Sequence, residues 1–524
     1  MRLALLLLLA TCGAPAGDPQ GPHAPKLQGP APLDLARPGA AYLQSVALQL
    51  QPGWGQFLDD CRIRLPASHP LNRMTLAATA AITADRAGKV IAVELTTPSG
   101  NADFDRAVKD AIADVRALAK PPEDELSDDD RIHLRWVFAR DRRQAGPATA
   151  AIEARELPIE DAVTRRIGTH ELGRAAWRCA TEPPGEKRTH AIARVMVAAL
   201  HEAVFSVDGS VQRAAVEAIA ATGTRELAAD VGALAVSSSD TELRASAIAA
   251  AAALDARDTG NALLARLAGD LGEQRKLALA ETAALGRFGR AEEAWHVIEP
   301  LLAAPAPNPI ALEAAGLLPR RPPVARVAGW LARGSAAIRT AACAALAREG
   351  SRAATAAIER GLGDADASVR AACAAAATAP ALAAKVVALQ RDRDAAVRAS
   401  ALLATARLDL AHLASAAEDP SPEVRAAYWR AVAARREPPD SRPGLVDPAE
   451  SVRLAAIAIA RDPATLERLA TSDDAPSVRS AALVKIVGLV GREPRTADLL
   501  EAFAHAQPAS FDRVRIARAW LLAR

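Results

Sequence analysis

The sequence predicts a multi-domain chain, with a small α+β unit near the N-terminus followed by an all-α solenoid of repeated helix pairs. The first observation is a stretch that keeps returning. DADASVRAAC from Asp364 comes back as DRDAAVRAS from Asp392, DPSPEVRAA from Asp419, DPAESVRLA from Asp447 and DDAPSVRSA from Asp473. Looser copies start at Asp208, Asp240 and Gly334. The second is the spacing of the arginines inside these copies. Arg213, Arg244, Arg339, Arg370, Arg398, Arg425, Arg453 and Arg479 are separated by 31, 95, 31, 28, 27, 28 and 26 residues. A period near 30 signals stacked helix pairs, and the gap of 95 leaves room for further copies, one of them around Arg275. The third is that residues 41–140 lack the motif and instead alternate like strands around a helical stretch.

Taken in order, Met1-Arg2 and the apolar run Leu3 to Ala10 form a basic start and a short hydrophobic segment. That is the layout of an export signal, and it is too short to span a bilayer. Leu9-Ala10-Thr11-Cys12 resembles the lipobox of bacterial lipoproteins, which implies lipidation of Cys12 after a signal at 1–12. A rival cut after Ala14-Pro15-Ala16 would release a soluble protein. Residues 13–40, rich in Pro, Gly and Ala, read as a tether with too little large apolar side chain to pack.

In 41–140, Tyr42 to Cys61 carries Val46, Leu50 and Trp54 at helical spacing. Thr75–Thr83 and Val90–Thr96 alternate as strands, joined by the turn Asp85-Arg86-Ala87-Gly88. Asn101 is placed to cap a helix over Asp103–Leu118, whose apolar face is Phe104, Val108, Ile112 and Val115. Pro121-Pro122 stops it, and Ile132–Phe138 supplies a last strand.

Gly88-Lys89-Val90, Pro98-Ser99-Gly100-Asn101, Phe104-Asp105, Ala107-Val108, Pro121-Pro122 and Trp136-Val137-Phe138 together resemble the C-terminal domain of the TonB and TolA energy-transducing proteins. The resemblance implies contact with outer-membrane receptors or other envelope partners, and a sheet edge able to accept a partner strand. Ile132, Leu134, Trp136 and Phe138 mark the expected edge. A TonB-type transducer carries this domain at the end of the chain, behind an inner-membrane helix. Here it stands near the start, which reads as a borrowed binding module.

Residues 141–185 read as a small-residue linker, Ala145–Ala154, and leading helices able to cap the first repeat. Residues 186–524 form the solenoid, whose last copy is echoed in Val514-Arg515-Ile516-Ala517. In each copy an Asp, Ser or Pro starts a helix, and small residues after the arginine let helices approach. The pattern resembles HEAT repeats, a likeness that implies architecture and leaves the task open. The recurrent arginines are expected to bond carboxylates and carbonyls between repeats.

Composition narrows the function. A net charge of +2 gives no field for nucleic acid, and 3% aromatics leaves few base-stacking platforms. No zinc pair, HExxH, GxSxG or phosphate-binding loop occurs, so no catalytic residue, metal or cofactor is expected. His190 and His201 share a helical face at eleven residues' spacing and read as surface positions. Asp128-Asp129-Asp130 lacks the interleaved ligands of a calcium loop and reads as a solvated turn. Cys343 and Cys373 share one register of adjacent repeats, at an expected ~10 Å, too far for a disulfide. The expectation is a non-enzymatic interaction scaffold of the bacterial cell envelope, lipid-anchored in the periplasm and bound to envelope or outer-membrane proteins. The alternatives are a TonB-type transport component contacting an outer-membrane receptor, and a HEAT-fold lyase or DNA-repair-like enzyme.

Overall fold

A computed structural model describes residues 37 and 39–523. The signal-like start, Cys12, the cut after Ala16 and all but the end of the tether lie outside the described residues. The chain divides into two compact units between Pro158 and Ile159.

The first unit begins with α1 (Ala40–Arg64), which buries Leu43, Val46, Leu50, Trp54 and Leu58 along one stripe. Pro52 breaks one helix bond on the exposed side, where Gln51, Pro52 and Gly53 all face solvent. Strands β1 (Ala77–Ala84) and β2 (Val90–Thr97) follow as an antiparallel pair. Their turn needs Gly88. Its φ is 85°, and an added Cβ would stand 2.3 Å from the Leu118 carbonyl oxygen. Asn101 Oδ1 caps α2 (Ala102–Ala113) by accepting from Asp103 and Phe104. That helix stops five residues before Leu118, because Leu118 N donates to Gly88 O and draws the chain back to the sheet.

Strand β3 (Ile132–Ala139) pairs with β1 along its whole length, and β4 (Ala151–Ile152) adds to its other side. The sheet order is β2-β1-β3-β4. Ala78, Ala80, Ile82 and Ala84 of β1 meet Phe104, Val108 and Ile112 of α2 and the α1 stripe in one core. Two expectations need correction. The segment read as a linker contributes β4, so it stays with this unit. Ile132–Phe138 is not the terminal strand, because β4 covers its first half.

The second unit is all helical. It opens with α3 (Ile159–Gly168), α4 (Leu172–Thr181), α5 (Glu186–Val204) and α6 (Gly209–Thr222). Next come α7 (Ala228–Ser237), α8 (Thr241–Leu254), α9 (Gly260–Glu273) and α10 (Arg275–Arg287). Then follow α11 (Ala291–Leu302), α12 (Pro309–Ala315), α13 (Val324–Arg333), α14 (Ala336–Leu346) and α15 (Arg352–Gly361). The chain continues through α16 (Ala367–Ala376), α17 (Ala383–Leu389), α18 (Ala395–Leu408), α19 (Pro422–Val432) and α20 (Arg442–Leu445). It ends with α21 (Glu450–Ile457), α22 (Pro463–Ser472), α23 (Pro476–Val490), α24 (Glu493–His505) and α25 (Phe511–Leu522).

These helices form two layers. The inner layer runs α6, α8, α10, α12, α14, α16, α18, α19, α21, α23, α25, each packed on the next, and α25 packs back on α6. The repeats therefore close into a ring instead of the expected open solenoid. The leading helices do not cap it. α4 packs on α24, and α25 fits against both α5 and α6. Closure places the apolar faces of the terminal pairs against each other, where an open stack would leave them exposed. Trp177 of α4 meets His505 of α24 edge-on at 5.7 Å. Gly173 lets the helices touch, since a Cβ there would lie 3.0 Å from the Ala504 carbonyl oxygen. A single hydrophobic core runs from Ile159 to Ala523.

The recurrent arginines stitch the inner layer. Arg339, Arg370, Arg398, Arg425 and Arg453 each donate Nε and Nη2 to the aspartate of the following loop, Asp364, Asp392, Asp419, Asp447 and Asp473, at 2.7–2.9 Å. Nη1 of Arg370 reaches back to the carbonyls of Asp364 and Ala365, and the other ladder arginines reach their own loops likewise. Each of these aspartates also accepts the backbone N–H two residues on, which starts the next helix. Planar bidentate geometry is what makes arginine the residue for this position. Arg479 finds only the carbonyls of Asp473 and Asp474. Arg213 and Arg244 make single contacts, to Asp240 at 3.4 Å and Asp270 at 2.9 Å.

Cys343 and Cys373 are joined by a disulfide, with Cα atoms 5.0 Å apart. The expectation of a 10 Å gap fails because α14 and α16, both rich in alanine, pack directly on each other. Gly361 of α15 comes so close that a Cβ there would lie 2.3 Å from Cys373 Sγ. Cys61 and Cys179 are free and buried, and burial pushes both thiols up, that of Cys179 to about 12.

Candidate functional site

The first unit holds the feature best suited to a partner. β3 is satisfied on one side by β1, from Ala84↔Ile132 to Ala77↔Ala139. On the other side β4 pairs with Leu134 and Arg135, and Glu153 N donates to His133 O at 2.8 Å. Beyond Arg135, no described strand pairs with Trp136–Ala139 on that side. The half-edge that remains offers backbone donors and acceptors to an extended segment.

The side chains named from the sequence do not form that edge. Ile132, Leu134, Trp136 and Phe138 are all buried. They face the helices, and the strand's contribution to an edge is its backbone.

Beside the half-edge lies a groove of about 210 Å³, lined by Leu50, Trp54, Leu58, Trp136, Phe138 and Arg142 among others. Its wall is an aromatic cluster. The Trp54 ring stands edge-on to Phe104 at 5.2 Å and to Phe138 at 5.1 Å. Gly55 and Gly146 are among its lining residues. The rim is basic. Arg140 is held by the Leu58 carbonyl and by Asn72 Oδ1, both at 2.6 Å. Burial lowers its pKa, and the nearby Arg142 and Arg62 lower it further. Arg142 is half exposed and lies 3.4 Å from Asp59. The arrangement suits a short strand that carries one bulky apolar side chain.

The acidic run has a structural task. Asp129 holds His133 Nε2 at 3.0 Å, His133 Nδ1 lies 3.1 Å from Thr83 Oγ1, and Asp128 Oδ2 accepts from Leu157 N at 3.0 Å. The His133 contacts tie the acidic run to β3 and β1, while the Asp128–Leu157 bond and the Arg135–Glu153 pair at 3.1 Å hold the segment that follows β4. His190 and His201 form no joint site. His201 Nδ1 lies 2.9 Å from Asp230 of α7, and His190 is not part of that contact. Among the described residues, no three His, Cys, Asp or Glu side chains gather as a metal site, and no helix is long and apolar enough to cross a membrane.

Sequence reasoning missed two things. It missed β4, which at two residues is too short to show alternation. It also missed Glu281, a fully buried acid in α10. The signal for Glu281 was present, because LALAETAAL sets an acid in the register that the other copies fill with Val, Ala, Cys or Tyr.

A family model described as TonB C terminal matches residues 40–134. No curated protein matches the chain. The N-terminal unit is thus a TonB C-terminal-like α+β domain, followed by a long all-α region of repeated helix pairs.

Proposed function

We propose that the chain is a non-catalytic component of TonB-type transport, whose N-terminal unit contacts an outer-membrane receptor. One observation carries this reading: in the unit that contains the match, no described strand pairs with the Trp136–Ala139 half of β3 on its β4 side, and this half-edge lies beside an apolar groove. A strand from the receptor pairs with Trp136–Ala139 and places an apolar side chain in the groove. A photo-crosslinking residue at Val137 tests it in a Gram-negative host. Crosslinks to a receptor at Val137, and none from the same residue at Lys109 on α2, are expected. Equal capture from both positions, or none from Val137, contradicts the reading.

A second reading is favoured by the closed ring, which adds a second surface on the same chain. In it the protein is an envelope scaffold that binds a multi-part partner through both units. The helix pairs are then HEAT-type repeats. Both readings place the chain in the periplasm, lipid-anchored at Cys12 or released after Ala16. The Cys343–Cys373 disulfide supports that placement, because such bonds persist in oxidising compartments. Intact mass and membrane fractionation beside Cys12→Ala separate the two N-termini. A lipid mass at Cys12 and release in the variant are expected for the anchored form.

A further inference from the structure

We propose that the ring contains a buried proton-binding site between α8, α9 and α10, where Glu281 and Asp270 hold one proton between them and make this joint sensitive to alkaline pH. Glu281 is fully buried on the inner helix α10, and neither carboxylate oxygen has a hydrogen-bond donor. Its neighbour is a second carboxylate, Asp270 of α9. Two ionised carboxylates repel each other and cannot hydrogen-bond. One proton turns the same geometry into an O–H···O bond.

The charged groups acting on Glu281 are Asp270 and Arg266 from α9 and Arg244 from α8. Arg244 already gives Nη2 to Asp270 at 2.9 Å, and its Nε is buried without a partner. Glu313 of α12 is taken by Arg275. The site exists because the stitching fails here. The fourth residue after the helix cap holds the ladder arginine in α14, α16 and α18 (Arg339, Arg370, Arg398), whereas in α10 it is Ala278. No arginine leaves α10 at that position, and of the two cations near the acids, Arg244 and Arg266, Arg244 is already bonded to Asp270. Burial is the largest influence on Glu281, raising its carboxyl from the ordinary 4.5 to about 8, with Asp270 adding to the rise.

The sign follows from proton counting. Between pH 4.5 and about 8 the folded chain keeps a proton that the unfolded chain has released, so stability falls as pH rises through that window. Above it, the ionised pair loosens α8–α10 while the rest of the ring keeps its bonds.

The test is hydrogen exchange on the full-length chain at pH 6 and pH 9, corrected for intrinsic rates, beside Glu281→Gln. At pH 9 the amides of α8–α10 should open at least tenfold more often relative to α16 and α18 than at pH 6. Glu281→Gln, which donates to Asp270 without ionising, should erase that difference. Wild-type α8–α10 protection that tracks α16 and α18 at both pH values would overturn the proposal, whether or not the variant folds. So would an unchanged difference in Glu281→Gln.

Discussion

From α14 to α23 every junction of the inner layer carries the same contact, an arginine gripping the aspartate of the next loop with two bonds. From α8 to α12 the ring has the same helix pairs and a similar core, but the arginine of α10 is gone and an acid is buried nearby. One stretch holds carboxylates that must be ionised; the other holds one that must not. The two should therefore answer pH in opposite directions. Hydrogen bonds from arginine hold Asp364, Asp392 and Asp447 below the ordinary 3.8. Asp419 and Asp473 are raised by burial, yet arginine and backbone bonds still bring them below it. Their contribution is complete above pH 3.8 and is lost as pH falls through the folded values. That of Glu281 is complete in acid and is lost on the way to pH 8.

The comparison can be broken in several places. The largest effect should come from the disulfide, which closes a loop with a sequence separation of 30 across the well-stitched stretch. Chain entropy gives such a loop about 3–4 kcal/mol. Cys343→Ala should lower the denaturation midpoint accordingly, and an unchanged midpoint would mean that the bond adds nothing to the α14–α16 contact. Next comes Asp392→Ala, which leaves the buried Arg370 without its carboxylate partner at a cost of about 3 kcal/mol. It should also flatten the acid limb of the melting profile. Glu281→Gln should act with the opposite sign, gaining on the order of 2 kcal/mol at pH 8 and little at pH 5. Thermal melts at the two pH values check this, and equal shifts at both would end the proton-linked account. The smallest effect belongs to Arg213→Ala, since the Arg213–Asp240 contact is long and exposed. It should cost about 0.5 kcal/mol or less. A loss as large as that of Asp392→Ala would show that bidentate geometry is not what matters.

What the sequence revealed follows the same division. The well-stitched stretch was legible because its aspartate does two jobs, starting a helix and receiving an arginine, and both leave a mark at fixed spacing. The arginine's bonding to carboxylates and carbonyls was anticipated from that pattern. Where the ladder lapses, the pattern lapses too, and α9 to α12 could be placed only by arithmetic. Ring closure was not legible at all. It depends on Gly173, Trp177 and His505, which lie far apart in sequence and belong to no repeat position. In the first unit the strands, the Asn101 cap and the Gly88 turn could be read from local chemistry. The edge could not, because a two-residue strand decides which half of β3 is open.

The most direct test of the account is an image of the helical unit itself, by cryo-electron microscopy of the full-length chain. The account predicts a closed ring in which α24 and α25 lie against α4, α5 and α6, with eleven inner helices among the described residues. An open arc with the first and last helix pairs apart would contradict it, and would return the repeats to the capped solenoid that the sequence suggested.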